Sequence, residues 1–274
     1  MFHRIYKNVQ EKPPLVHCIT NYVTVNDCAN MLLACGGLPI MADDIREVED
    51  ITALCNGLCL NIGTLNDRAF QSMLSAGKKA NQLARPVVLD PVGAGASAFR
   101  TSAAFELLSQ IDFAVIRGNS SEIKTLAQGI GTTQGVDANE SDAVTVENLE
   151  DTVACVKALS AQTGAVIVMT GAMDIVAEPG KAVVIYNGHP MMSKITGSGC
   201  MLSAVIAAFA AANSDEILLA AVSAVCAMGL CGEIAYKKTT ARNGGTSAYR
   251  GELIDGMSLM TADTLQGGAK FEHR

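Results

Sequence analysis

The segment with the most chemistry in it is Thr196-Gly197-Ser198-Gly199-Cys200, which runs straight into the apolar stretch Met201 to Phe209. Glycines admit close backbone approach. The unpaired N–H groups of a first helical turn, with the positive end of the helix dipole, favour an anion. A phosphoryl group in transfer fits such a turn, although an ordinary glycine turn ahead of a core helix has the same composition. The spacing is not that of a Walker A loop. A second segment, Asp90-Pro91-Val92-Gly93-Ala94-Gly95, follows the apolar run Val87 to Leu89 and offers a carboxylate for metal or phosphate chemistry. Taken alone, it also reads as plain turn punctuation.

Two further segments share this character. Arg117-Gly118-Asn119-Ser120-Ser121-Glu122 supplies a cation for phosphate and a carboxylate that could help to hold Mg²⁺. The same residues would equally serve as a helix cap, with Glu122 in the first turn. Thr170-Gly171 adds a hydroxyl and an open backbone, or simply a tight turn. Convergence is what distinguishes these segments, because those at Asp90, Arg117 and Thr170 each follow an apolar run of strand length. In an open α/β sheet, ligands gather beyond the carboxyl ends of the strands.

The elements that must position these residues follow from the alternation of short apolar runs with longer helical patterns, which predicts a mostly parallel sheet with crossover helices. The predicted strands are Leu15 to Ile19, Leu38 to Met41, Gly57 to Ile62, Pro86 to Leu89, Phe113 to Ile116 and Ala165 to Met169. Thr64 and Asp67 form a candidate capping box, and Ile217, Ala221, Ala224, Met228 and Cys231 a helical stripe. Glu178-Pro179-Gly180-Lys181 reads as the turn of an antiparallel hairpin between Asp174 and Asn187. The absence of a linker-like stretch predicts one domain over residues 1–274.

Composition narrows the function. The 274 residues carry a net charge of -7, against the clustered Lys and Arg that nucleic acid demands. Nine cysteines, an odd number scattered through apolar stretches, predict free thiols and a reducing, cytoplasmic setting. The stretch Met1 to Pro14 lacks a signal peptide's apolar core, and Met201 to Ala212 and Ile217 to Cys231 fall short of the roughly 20 residues of a membrane span. Neither secretion nor membrane insertion is expected. The four histidines are too dispersed for a zinc site.

Several motifs taken together resemble the hydroxyethylthiazole kinases of the ribokinase-like superfamily. They are Val16-His17-Cys18-Ile19-Thr20-Asn21-Tyr22-Val23, Pro39-Ile40-Met41-Ala42-Asp43, Asp90 to Gly95, Ile116 to Asn119 with Glu122, and Thr196 to Cys200. The resemblance runs through nearly the whole chain. It implies an α/β/α sandwich without a separate lid domain, assembled as a homotrimer with active sites between subunits. It also implies ATP as co-substrate and Mg²⁺ as cofactor. By the same resemblance, Arg117 and Thr170 contact ATP, Met41 and Gly197 contact the thiazole, and Asn21 lines the alcohol pocket. Asp90 and Glu122 organise Mg²⁺, directly or through water. Met41 as strand core and Asn21 as a helix cap stay open as structural readings.

Cys200 stands where many superfamily relatives carry an aspartate base, and the thiazole kinases characteristically have cysteine. A helix N-terminus should lower the thiol's pKa and favour a proton-accepting role. Gly244-Gly245-Thr246-Ser247-Ala248-Tyr249-Arg250 departs from the Gly-Pro-Gly-type turn usual before the final helix, which puts the nucleotide-facing end of the pocket in doubt. The resemblance leaves three competitors. They are hydroxymethylpyrimidine kinase, a nucleotide-dependent nicotinamide-hydrate dehydratase on the same fold, and a non-catalytic ligand-binding protein.

Overall fold

The apolar runs form strands because their side chains alternate between two buried faces. On one face lie Val88, Val166 and Val168, and on the other Val87, Leu89, Ile167 and Met169. Burial on both faces is why these strands read as continuous apolar stretches rather than as alternating ones. The computed structural model describes residues 2–129 and 144–274. In it the strands β1 (Leu15–Ile19), β2 (Leu38–Ile40), β3 (Gly57–Asn61), β4 (Val87–Asp90), β5 (Val115–Asn119) and β6 (Val166–Thr170) pair in parallel. β7 (Asp174–Glu178), β8 (Lys181–Ile185) and β9 (Phe271–His273) continue the sheet antiparallel. The full order is β2-β1-β3-β4-β5-β6-β7-β8-β9.

Helices cover both faces. One layer holds α1 (Phe2–Glu11), α2 (Val25–Cys35), α8 (Ser198–Ala212), α9 (Ile217–Ala241), α10 (Thr246–Ser258) and α11 (Ala262–Gly268). The other holds α3 (Val48–Leu54), α4 (Asp67–Gln82), α5 (Ala98–Gln110), α6 (Ser120–Gly129) and α7 (Leu149–Thr163). This is the expected three-layer α/β/α sandwich, and no separate lid is evident among the described residues.

Local differences from the sequence reading are informative. Arg117, Gly118 and Asn119 belong to β5 itself rather than to the loop beyond it, because their backbones pair in register with Val168, Met169 and Thr170. The cap of α4 is Asn66, whose side chain accepts from the Ala69 N–H at 3.0 Å; the Thr64 hydroxyl instead accepts from the Tyr22 N–H at 3.3 Å. The run beginning at Ile217 extends to a helix of 25 residues, long enough to cross a membrane, with its most apolar window 72% buried inside the fold. It is a core helix. All nine cysteines are unpaired, as expected.

Candidate active site

α8 begins at the glycine turn. Gly197 is the N-cap residue with φ +85°, and the first bond along the helix is Met201 N–H to the Gly197 carbonyl at 2.9 Å. The N–H groups of Ser198, Gly199 and Cys200 therefore have no acceptor within the helix. A Cβ on Gly197 would lie 2.5 Å from Thr24 Cγ2, and one on Gly199 would lie 2.4 Å from Arg117 Nη1. The second contact explains the glycine: the guanidinium passes directly under the turn.

Arg117 is nearly buried in β5. Its Nη2 donates to the Thr170 hydroxyl at 2.5 Å, and that hydroxyl donates to the Gly118 carbonyl at 3.3 Å. Its Nη1 lies 3.6 Å from Asp90 Oδ1, while its Nε is buried with no hydrogen-bond partner. Arg117, Thr170, Ser198 and Gly199 line one end of a cavity of about 510 Å³. His189, Met192 and Met228 line it elsewhere, and His189 is stacked on Tyr236 with ring centroids 3.6 Å apart. The arrangement combines a cation, a hydroxyl and free helical N–H groups with an apolar and aromatic remainder, which suits a nucleoside triphosphate. The Gly244-Gly245 turn is absent from this lining and instead leads into α10, with Gly245 at the N-cap. Its departure from the usual pattern therefore leaves the cavity wall untouched.

Asp90, the last residue of β4, is fully buried. Its Oδ2 accepts from Asn61 Nδ2 and from the Ser203 hydroxyl, each at 2.8 Å, whereas Oδ1 has no hydrogen-bond partner. Burial pushes this carboxyl up to about 6, against the pull of the Arg117 guanidinium. Glu122 forms a capping box with Asn119: its Oε2 accepts from Asn119 N–H at 2.7 Å, and Asn119 Oδ1 accepts from Glu122 N–H at 2.9 Å. Its other oxygen accepts from the Gly93 N–H at 2.9 Å, so one carboxylate ties α6 to the Asp-Pro turn.

The two carboxylates differ in what they could offer a Mg²⁺ ion. Asp90 Oδ1, without a hydrogen bond although paired with Arg117 at 3.6 Å, suits the hydration shell of a cation, while both oxygens of Glu122 already accept backbone N–H groups. Among the described residues no three His, Cys, Asp or Glu side chains gather as a metal cage. The pair fits an ion that keeps its waters and is carried chiefly by phosphate oxygens, which is the usual habit of Mg²⁺.

Cys200 is not among the residues that line the cavity. Its Sγ accepts from Asn21 Nδ2 at 3.2 Å and from Asn61 Nδ2 at 3.3 Å. The expectation of a lowered thiol pKa is corrected here. Burial, and then the charge of Asp90, push the Cys200 thiol up, and the hydrogen bonds from Asn21 and Asn61 only moderate the shift.

Asn21 is not the N-cap of α2, which is Thr24. Asn21 Oδ1 accepts from the Thr24 N–H at 3.1 Å and hydroxyl at 3.0 Å, bracing the turn into α2, while its Nδ2 faces Cys200. Met41 sits one residue beyond β2, half-buried against the core rather than within the strand. The loop it belongs to is fastened by buried His17, whose ring nitrogens contact the Ala42 carbonyl at 2.8 Å and the Thr52 hydroxyl at 2.9 Å.

The structure thus gathers Asn21, Asp90, Arg117, Glu122, Thr170, Gly197 and Cys200 at one end of the sheet, with Met41 at its edge. Sequence reasoning missed Asn61, Ser203 and Asp174. Asn61 falls inside the predicted apolar strand Gly57 to Ile62, and Ser203 sits in an apolar helix. Asp174 opens β7, lines the cavity and accepts from the Gly171 N–H at 2.9 Å; burial pushes it up to about 7.

Fold and site together define a ribokinase-like small-molecule kinase. The comparisons with known proteins narrow that class. The model of the hydroxyethylthiazole kinase family matches residues 6–263, so the chain belongs to that family. It is 55% identical over 266 residues to a hydroxyethylthiazole kinase of Clostridium acetobutylicum, covering 97% of each chain. It is 52% identical to one of Desulfovibrio desulfuricans, covering 95% of this chain and 94% of that one. The solved structure of a hydroxyethylthiazole kinase protein from Pyrococcus horikoshii matches with a TM-score of 0.88 at 34% identity, covering 100% of this chain and 98% of that one.

Proposed function

We propose that this chain, as a single kinase domain, transfers the γ-phosphoryl group of ATP to the primary hydroxyl of 4-methyl-5-(2-hydroxyethyl)thiazole, a step of thiamine biosynthesis or salvage. The observation that carries the reading is the first turn of α8. It has Arg117 against Gly199, contributes Ser198 and Gly199 to a cavity of about 510 Å³, and carries Cys200 with two amide donors. That arrangement sits within a family match covering residues 6–263.

Arg117, Thr170 and the free N–H groups of Ser198 and Gly199 hold the triphosphate. Met41, Gly197 and Asn21 hold the thiazole alcohol. The hydroxyl oxygen attacks the γ-phosphorus as the bond to the β-γ bridging oxygen breaks and ADP leaves. The hydroxyl proton passes to Cys200 Sγ in its thiolate form, which becomes the neutral thiol. Asp90 and Glu122 would help to hold Mg²⁺ arriving with ATP, which would supply charge neutralisation at the phosphates. Positioning and charge stabilisation supply most of the acceleration in reactions of this kind.

The proposed assembly is a homotrimer in the cytoplasm. Exposed apolar side chains around edge strand β2 support an interface there: Leu38 on the strand, Tyr22 and Val23 after β1, and Ile45 after β2. Purified protein with Mg²⁺-ATP and, separately, hydroxyethylthiazole or hydroxymethylpyrimidine, analysed by mass spectrometry, tests the substrate. Thiazole phosphate is expected. Pyrimidine phosphate alone would overturn the acceptor, and no product with either would overturn the reaction.

A further inference from the structure

Asn61 ends β3, the strand between β1, which leads into Asn21, and β4, where Asp90 is its register partner. It is 2% exposed among buried neighbours Leu60 and Ile62, a place where an apolar residue would be the ordinary choice. An amide has two N–H donors and one carbonyl acceptor with two lone pairs, and here both groups are engaged twice. Oδ1 accepts from Asn21 Nδ2 at 3.0 Å and from the Gly63 N–H at 2.9 Å; Nδ2 donates to Asp90 Oδ2 at 2.8 Å and to Cys200 Sγ at 3.3 Å. The orientation is not arbitrary. A backbone N–H only donates, so Oδ1 must face Gly63, which turns Nδ2 toward Asp90 and the sulfur.

We propose that Asn61 is a positioning residue for phosphoryl transfer that acts through Cys200, fixing where the sulfur stands relative to the first turn of α8. The inference rests on the reading above that Cys200 faces the acceptor alcohol. Asp90 does not depend on Asn61 alone, because Ser203 holds the same carboxylate oxygen at 2.8 Å. Cys200 has no such substitute: Asn61 is one of its two amide donors, and the other, Asn21 Nδ2, also donates to Asn61 Oδ1. Loss of Asn61 therefore removes one amide contact to the sulfur and one of the bonds that hold the other, leaving Asn21 braced by Thr24 alone.

A double-mutant cycle on the full-length enzyme, with Asn61→Ala, Cys200→Ala and the pair, reads this in kcat and in KM for ATP and the alcohol. Asn61→Ala alone should lower kcat about tenfold or more with KM for ATP within about threefold, yet cost under about twofold once Cys200 is already alanine. Equal costs in both backgrounds would overturn the inference while leaving Cys200 its role. Full turnover by Cys200→Ala would remove that role and the inference with it, whereas failure of wild-type enzyme to make thiazole phosphate would strike the functional assignment itself. Should Asn61→Ala not fold, Asn61→Ser enters the same cycle. Iodoacetamide labelling at Cys200, followed by peptide mass spectrometry, is then the second readout. A labelling rate changed by about threefold or more supports the inference, and an unchanged rate with unchanged kcat overturns it.

Discussion

Cys200 decides how far proton transfer contributes. The helix N-terminus and two amide donors favour a thiolate, while burial and Asp90 oppose it and prevail, so the thiol's pKa lies above its ordinary value. The sign for activity follows. If the sulfur takes the hydroxyl proton, the competent thiolate grows with pH, and kcat should rise through the alkaline range. Cys200→Ser should abolish that rise and lower kcat by about 10²-fold, the lower end of what acid–base groups contribute. A pH series of kcat for both proteins checks this. A flat wild-type profile, or an unchanged one in the variant, would confine Cys200 to packing. At this scale the sequence was readable where a residue type is unusual for its place, as with a cysteine after a glycine turn. Asn61 was not readable, because an asparagine at a strand end looks the same whether it stops the strand or binds four partners.

At the scale of elements, the site is built from strand ends and one helix start. Strand existence was legible from apolar runs buried on both faces. Strand ends were not, because hydrogen-bond register rather than hydrophobicity carries β5 on through Arg117 to Asn119. β9 was invisible for a related reason: Phe271-Glu272-His273 is three residues long and pairs only with β8. The contact between α8 and β5 gives a prediction at this scale. Gly199→Ala puts a methyl group where Arg117 Nη1 lies, 2.4 Å from the ideal Cβ position. The guanidinium must then leave Thr170. kcat/KM for ATP should fall by at least about tenfold with melting temperature nearly unchanged, since alanine is otherwise the better helix former. Activity and thermal unfolding measured side by side check it. A variant with wild-type kcat/KM would show that the passage of Arg117 under the turn is unimportant.

At the scale of the whole molecule, the sheet has a weak side. β2 ends the sheet at one edge with Leu38 45% exposed, and Tyr22 is 76% exposed in the loop after β1. Exposed edge strands with apolar side chains invite pairing or coverage by another chain. The proposed homotrimer supplies that cover. Light scattering should give a mass near three times the chain's 28.6 kDa. Leu38→Lys, a charge on the edge strand, should shift it toward one chain mass and lower turnover. A fully active monomer would contradict intersubunit active sites. The fold class and the polar cluster were legible in the chain; partners that cover a surface leave no comparable periodic signal.

The central claim is direct transfer from ATP to the thiazole alcohol, and isotopic labelling tests it most directly. With ATP labelled in its γ-phosphoryl group, the label should appear in hydroxyethylthiazole phosphate in one-to-one proportion with the ADP formed. Label recovered only as inorganic phosphate, or only in the phosphate of the pyrimidine alcohol when both acceptors are offered, would contradict it.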